Sequence, residues 1–173
     1  MSQQTENLMK KIFLSKVVLN MGVGKSGEPL EIGKKTLTQI SGKKPNTRNA
    51  KKSQRDWGVR KGEPIGVAVT IRNNDAKELL KKLLVAKDNK IKEHAFDNEG
   101  NLSFGITEHI DIPGIKYDPQ IGILGLEVSV TLARNGFNIK LRSKRKGKVG
   151  KKHRIRKNDA IKFLTEELGV KIV

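Results

Sequence analysis

The residues that most resemble a chemical site form the stretch Gly22-Val23-Gly24-Lys25-Ser26-Gly27, which follows an apolar run. Their spacing fits a dinucleotide-binding G-x-G-x-x-G loop, and Gly24-Lys25-Ser26 also fits the end of a Walker A loop. The rest of each pattern is missing. A Walker A loop needs its first glycine where this chain has Leu19, and no acid stands about 20 residues downstream to bind a ribose hydroxyl. We expect no nucleotide cofactor and a glycine turn, either plain or close to a ligand.

Other reactive side chains do not form a catalytic or metal-binding pattern. The chain has no cysteine, and its three histidines are scattered without metal-ligand spacing. Glu108 and His109 are predicted on opposite faces of a strand, and Glu166 lies on a predicted terminal helix, so none has a persuasive catalytic partner. We therefore expect no metal and no enzyme activity.

Charge is the dominant property of this 173-residue chain, which has 36 Lys and Arg against 18 Asp and Glu, a net charge of +18. Two tracts, residues 32–55 and 128–158, contain no acid. A merely solvated face would leave the repulsion within them uncompensated, whereas a polyanion neutralises it. The pattern predicts a nucleic-acid partner, either for a specific RNA-binding protein or for a general nucleic-acid chaperone.

Hydropathy gives no sign of a membrane. No apolar run reaches 18 residues, and Met1–Lys11 lacks the apolar stretch of a secretory signal. We expect a cytoplasmic protein with no membrane partner.

Strand and helix periodicities predict an α+β fold. The predicted strands are Lys16–Met21, Pro64–Arg72, Asn101–Ile110 and Gly125–Ala133, and the predicted helices are Glu28–Ser41, Asp75–Ala86 and Asn158–Leu168, the last capped by Asn158. Lys43–Gly62 shows no clear periodicity and is rich in Lys, Arg and Asn, so it is predicted to be the margin of a strand followed by a long exposed loop. Because the strands alternate cleanly, each buries one face. We expect a single, mostly antiparallel sheet with helices packed on its apolar face.

The opposite face of that sheet is predicted to be small and polar. Its expected residues are Asn20, Gly66, Thr70, Ser103, Thr107, Ser129 and Thr131. None is aromatic, so base stacking of the RRM kind is not expected to supply the main affinity. Hydrogen bonds from Asn and Thr, with cations at the rim, suit the backbone of a shaped RNA better.

The chain is predicted to divide into an RNA-binding α+β domain, residues 1–135, and a basic arm with a C-terminal helix, residues 136–173. The arm segment Lys140–Lys157 is too basic and too poor in apolar residues to fold on its own. We expect it to become ordered against RNA phosphates, through Arg142, Lys144, Arg145, Lys146, Lys151, Lys152, His153 and Arg154.

Several motifs together carry a family resemblance. LNMGVG, ISGKKP, NAKKS, GVRKGEPIGVAVTIR, EHAFDNEGNLSFGITEHIDIPGIKYDP and GILGLEVSVTLAR follow one another from about Lys11 to Arg134. In this order they closely resemble the universal large-subunit ribosomal protein of the L-five family. The tail KKHRIRKNDAIKFLTEELGVKIV is similar to the archaeal and eukaryotic branch.

The resemblance implies a structural component of the large ribosomal subunit that binds 5S rRNA in the central protuberance. It also implies contacts with 23S-type rRNA, with other proteins of the central protuberance, with P-site tRNA through a basic loop, and with a small-subunit head protein across a subunit bridge. The acidic stretch of residues 93–127 would then face away from RNA, towards a basic protein or simply towards solvent.

The implied site residues follow from the motifs. For 5S rRNA they are Asn20 and Thr70, together with Lys43 at a position that is usually glutamine, and the neighbouring cations Lys44 and Lys25. A lysine donates hydrogen bonds there but cannot accept them. For the tRNA-contacting loop they are Arg48, Lys51, Lys52, Arg55, Trp57 and Arg60. Trp57 either stacks on a nucleotide or pins the loop to the core.

Overall fold

The computed structural model describes residues 7–115, 119 and 122–173. Asp118, which belongs to the acidic stretch, lies outside the described residues. In this part of the chain, every helix is too short or too polar to cross a bilayer.

Five antiparallel strands form the main sheet. The strands of the chain are β1 Ile12–Gly22, β2 Asn46–Asn49, β3 Pro64–Ile71, β4 Lys90–Ile91, β5 Leu102–Ile106, β6 Leu126–Arg134 and β7 Lys171–Ile172. The main sheet has the order β2-β3-β1-β6-β5, with the longest strand, β1, at its centre. Strands β4 and β7 form a separate parallel pair.

Helices cover one face of the main sheet. The described helices are α1 Glu28–Ser41, α2 Asn73–Val85, α3 Asn138–Leu141 and α4 Lys157–Leu168. Helices α1, α2 and α4 bury residues in the core with the sheet, whereas the short α3 buries none. Helix α1 has a proline in its first turn and ends at Gly42, whose φ of 64° closes the helix. Helix α2 buries a leucine stripe that includes Leu80 and Leu83 against the inner face of β1, where Val17 and Leu19 are fully buried.

The predicted fold class is confirmed, with local corrections. The prediction of α1 matches its observed bounds, and α2 begins two residues before the predicted start. The strand predicted over Asn101–Ile110 is wrong beyond Ile106, because His109 lies in a short 3-10 helix and is buried. Asn158 does not cap α4. Instead, Asp159 Oδ2 accepts a hydrogen bond from the backbone N–H of Arg156.

The C-terminal segment shares the core of the main sheet. Ile155, Ala160, Leu164 and Val170 are all buried in the same cluster as the sheet residues. A Cβ on Gly100 would lie 2.4 Å from Ile155 Cγ2, and Gly100 has a φ of +77°. Glycine at this position therefore lets the end of the arm pack closely against the body.

Candidate RNA-binding surface

The face of the sheet opposite the helices is built from short side chains in aligned rows. One row runs from Thr70 on β3 through Val18 and Ser129 to Ser103 on β5. In the next row, Asn46, Ala68, Asn20, Glu127 and Gly105 stand side by side. The register thus brings residues from five strands onto one face, which we call the outer face.

Glu127 is the acidic outer-face residue that the sequence-based list omitted. That list also left out other residues that lie on this face, namely Val18, Asn46, Ala68 and Gly105. Asn20 Nδ2 donates a hydrogen bond to Glu127 Oε2 at 3.1 Å, across strands whose residues are 107 positions apart. The sequence did contain a signal, because Glu127, Ser129 and Thr131 occupy every second position of β6 and therefore share one face. Asn20 is therefore a member of a polar pair on the outer face.

Of the three implied 5S rRNA positions, Asn20 lies on the central strand β1, Thr70 on the neighbouring strand β3, and Lys43 just before the edge strand β2. Thr70 is exposed near the end of β3. Lys43 precedes β2 and forms a 2.7 Å ion pair with Asp75 in the first turn of α2. The Lys43 ammonium group, through its hydrogen bond and its charge, holds the pKa of Asp75 below its ordinary value. Lys44 is exposed beside it.

The glycine turn after β1 uses its backbone amides within the protein. The N–H groups of Val23 and Gly24 both donate to the carbonyl of Ile65, at 3.0 and 2.9 Å. A phosphate-binding loop would instead point such amides at its ligand. The structure therefore supports a turn, from which Lys25 extends as an exposed side chain.

The basic loop between β2 and β3 is an ordered hairpin extension. Gln54 and Val59 exchange backbone hydrogen bonds of 2.8 and 3.0 Å, and Gly58 closes the tip with a φ of 65°. Trp57 at the tip is 77% exposed. The alternative in which Trp57 pins the loop to the core is therefore wrong, and its ring is free to stack.

Glu63 holds the base of this loop. Its Oε2 accepts the backbone N–H of Arg60 at 3.0 Å, and its Oε1 accepts the Ser26 hydroxyl at 2.9 Å. These two hydrogen bonds, the one from Arg60 first, lower the pKa of Glu63 below its ordinary value. Glu63 thus joins the loop to the glycine turn.

The predicted loop residues separate into two groups. Arg48 lies on β2 opposite Gly66, so its place is the edge of the outer face. Exposed positions on the hairpin itself are held by Lys51, Lys52, Arg55, Trp57 and Arg60. The structure therefore brings five of the six predicted residues together.

The arm is attached to the body by specific contacts. His153 makes a 2.8 Å hydrogen bond to the Asn135 carbonyl through Nε2, and its ring meets Phe137 edge-on at 5.7 Å. Arg134 donates to the carbonyls of His153 and Arg154, both at 3.3 Å, and pairs with Asp159 at 3.1 Å.

Exposed cations surround these contacts. All of the predicted arm residues except half-buried His153 are exposed: Arg142, Lys144, Arg145, Lys146, Lys151, Lys152 and Arg154. A cleft of about 610 Å³ opens between the arm and the body, with Phe137 and Ile155 among its apolar lining and Lys146 and Lys148 among its cations. The arm thus presents a positively charged surface that is anchored from beneath.

Among the described residues, no group of three or more His, Cys, Asp or Glu side chains could hold a metal ion. The most buried histidine, His109, accepts the backbone N–H of Leu124 at its Nδ1, at 3.3 Å. Its role in the fold is therefore a packing and hydrogen-bonding one.

Nearly the whole of this chain is similar in sequence to known proteins. The family described as "Ribosomal protein L5" matches residues 7–60, and the family described as the C-terminus of the same ribosomal proteins matches residues 64–163. The large ribosomal subunit protein uL5 of Nitrosopumilus maritimus is 66% identical over 172 residues, with 99% of each chain covered. The proteins of the same name from Pyrobaculum aerophilum and Sulfolobus acidocaldarius are 49% and 45% identical, and cover 95% and 97% of this chain and 92% and 94% of their own. The similarity includes the sheet, the hairpin and the arm.

Proposed function

This chain belongs to the ribosomal protein L5 family, as an archaeal-type structural protein of the large ribosomal subunit and not an enzyme, and from that premise we propose that its outer face binds 5S rRNA in the central protuberance. As a ribosome component it works in the cytoplasm, with rRNA and other large-subunit proteins as its partners.

The observation that carries the 5S rRNA proposal is the composition of the outer face. Asn20, Thr70 and Ser129 offer short polar groups, while the exposed Gly105 leaves room for close approach of a ribose-phosphate backbone. Lys43, Lys44 and Lys25 lie outside the main sheet. Hydroxyl and amide groups select the shape of a folded RNA, and the cations supply affinity by releasing counterions.

We propose a second contact, between the hairpin and P-site tRNA. The exposed cations of the hairpin bind phosphates without regard to base identity, and Trp57 offers an exposed aromatic surface for a nucleotide. A protein that serves every tRNA needs this kind of contact, because tRNAs share their backbone shape more than their sequence.

The two parts of the chain are proposed to divide the remaining contacts. Residues 1–135 carry the 5S rRNA face and the hairpin, and residues 136–173 carry an arm for 23S-type rRNA. The acidic stretch holds exposed Glu108 and Asp111. Such a surface suits a basic neighbour, and we propose the small-subunit head protein of the subunit bridge.

A salt titration tests the 5S rRNA proposal against a general nucleic-acid chaperone. If the protein neutralises about six phosphates, log K falls with log salt at a slope of about −5 for any duplex polyanion. We expect 5S rRNA to retain a large preference over tRNA and duplex DNA at high salt. Equal affinities at every salt concentration would contradict 5S rRNA recognition and favour the chaperone.

A further inference from the structure

Glu127 is an unexpected residue on a surface that binds a polyanion. It is the only acidic residue among the register-paired positions of the outer face. Within the described part of the chain, six acids form ion pairs with lysine or arginine, and Glu127 is not one of them. Its carboxylate therefore remains an uncompensated negative charge on this face.

The surroundings of Glu127 fix its carboxylate and leave it open. On one side, Asn20 Nδ2 donates to Oε2 at 3.1 Å. On the other side, the register neighbour on β5 is Gly105, which has no side chain to cover it. A carboxylate has about four lone-pair positions, so most of its accepting capacity stays available.

Electrostatics restricts what can approach such a group. A phosphate oxygen next to Glu127 would be repelled, whereas a hydroxyl or amino hydrogen would be attracted. RNA presents such donors as ribose 2′-OH groups and as base amino groups, including the guanine amino group in the shallow minor groove. The adjacent small residues let those groups come close to the sheet.

We propose that Glu127, held in place by Asn20, is a specificity-determining residue of this surface and accepts hydrogen bonds from 2′-OH or amino donors of the bound RNA. The same charge repels a phosphate that occupies this position in a wrong register. Specificity thus comes partly from a repulsive element, at the expense of non-specific affinity. This inference rests on the proposed 5S rRNA binding.

The decisive variant is Glu127→Gln, which keeps the shape and removes the charge. We expect 5S rRNA binding to weaken by about tenfold or more, since hydrogen bonds to charged groups are strong ones. Binding to a random RNA of equal length should stay unchanged or become tighter. Glu78→Gln on α2 is the matched control, because it removes one exposed acid on the helical side of the sheet.

A rise in 5S rRNA affinity on substitution of Glu127, in place of the expected fall, would overturn the inference. If the Glu127→Gln protein bound 5S rRNA and random RNA more tightly by the same factor, Glu127 would only repel RNA and would not contribute to specificity. A wild-type protein without any preference for 5S rRNA would instead contradict the proposed function itself. The two failures are therefore distinguishable in one set of titrations.

Two further measurements identify the donor and the role of Asn20. Interference mapping with 2′-deoxy and with inosine substitutions in 5S rRNA separates ribose hydroxyls from guanine amino groups. We expect at least one interference signal to be lost in Glu127→Ala.

The role of Asn20 is tested by combining two substitutions. We expect the effects of Asn20→Ala and Glu127→Ala on 5S rRNA affinity to be non-additive, whereas full additivity would contradict a positioning role for Asn20.

Discussion

Lys43 Nζ lies 2.7 Å from Asp75 Oδ2, so a cation proposed to contact 5S rRNA is paired with the first turn of α2. Both side chains are well exposed, at 44% and 65%. An exposed pair of this kind is weak, and a phosphate can compete for the lysine. Asp75 therefore moderates the availability of Lys43.

The variant Asp75→Asn should release Lys43 for RNA. We expect 5S rRNA binding to tighten by about two- to fivefold, which corresponds to the typical strength of an exposed ion pair. The salt dependence should also steepen by up to about one unit of slope if Lys43 gains a phosphate contact. Asp88→Asn is the control, because it removes the same charge from the turn after α2. Equal effects of the two substitutions would mean that only net charge matters.

The small polar residues of the outer face should contribute to specific binding. We expect Thr70→Ala and Asn20→Ala each to weaken 5S rRNA binding by roughly 1–3 kcal/mol, with little change in binding to random RNA. Thr38→Ala, on the exposed side of α1, provides the comparison. If both outer-face variants bound 5S rRNA normally, the RNA surface would have to lie elsewhere on the protein.

Trp57 should report and support tRNA binding. Its exposed ring at the hairpin tip makes no core contact that a substitution could disrupt. We expect Trp57→Ala to weaken tRNA binding by about 1–3 kcal/mol, the typical contribution of stacking one base, and to leave the melting temperature unchanged. Fluorescence quenching of this single tryptophan on tRNA addition measures the contact directly. Unchanged emission at saturating tRNA would contradict stacking.

The sheet could be predicted from sequence because strand alternation is local. Its register could not, since the contact of Asn20 with Glu127 joins residues 107 positions apart. Ile155 was missed for a related reason. An isolated apolar residue between two arginines shows no periodicity, and its burial depends on the space left by distant Gly100. The strands β4 and β7 are two residues long, too short for a recognisable pattern.

The position of Trp57 illustrates the same limit at the candidate site. Sequence identified a basic loop around a tryptophan but could not choose between burial and exposure. The choice depends on the hairpin, in which Gln54 pairs with Val59 and Gly58 turns the chain at the tip. These contacts direct Trp57 into solvent.

Order in the hairpin should depend on pH through Glu63. Its pKa is lowered by hydrogen bonds from the Arg60 backbone and the Ser26 hydroxyl, so its stabilising effect is present above the ordinary value of 4.5. The effect is lost as the pH falls through the lower pKa of the folded state. We expect the fluorescence anisotropy of Trp57 to decrease in that acidic range. Glu63→Gln should show the low anisotropy already at neutral pH, and a normal value there would contradict this role.

Arg134 should control the attachment of the arm. Its side chain is only 13% exposed, pairs with Asp159 at 3.1 Å, and donates to the carbonyls of His153 and Arg154. Removing it leaves Asp159 and two carbonyls without their charged partner, so we expect Arg134→Leu to lower the free energy of unfolding by about 1–3 kcal/mol. Chemical denaturation measures this loss.

The same variant should loosen the arm more than the sheet, because these contacts join the end of β6 to the segment before α4 and to the first turn of α4. Trypsin should therefore cut after Lys151 or Lys152 sooner in Arg134→Leu than in the wild-type protein. Arg142→Leu is the matched control, since Arg142 is exposed on the arm and forms no ion pair in the described part of the chain. Bound rRNA should restore protection in Arg134→Leu if phosphates hold the arm from outside. Equal cleavage of the three free proteins would show that Arg134 does not fasten the arm.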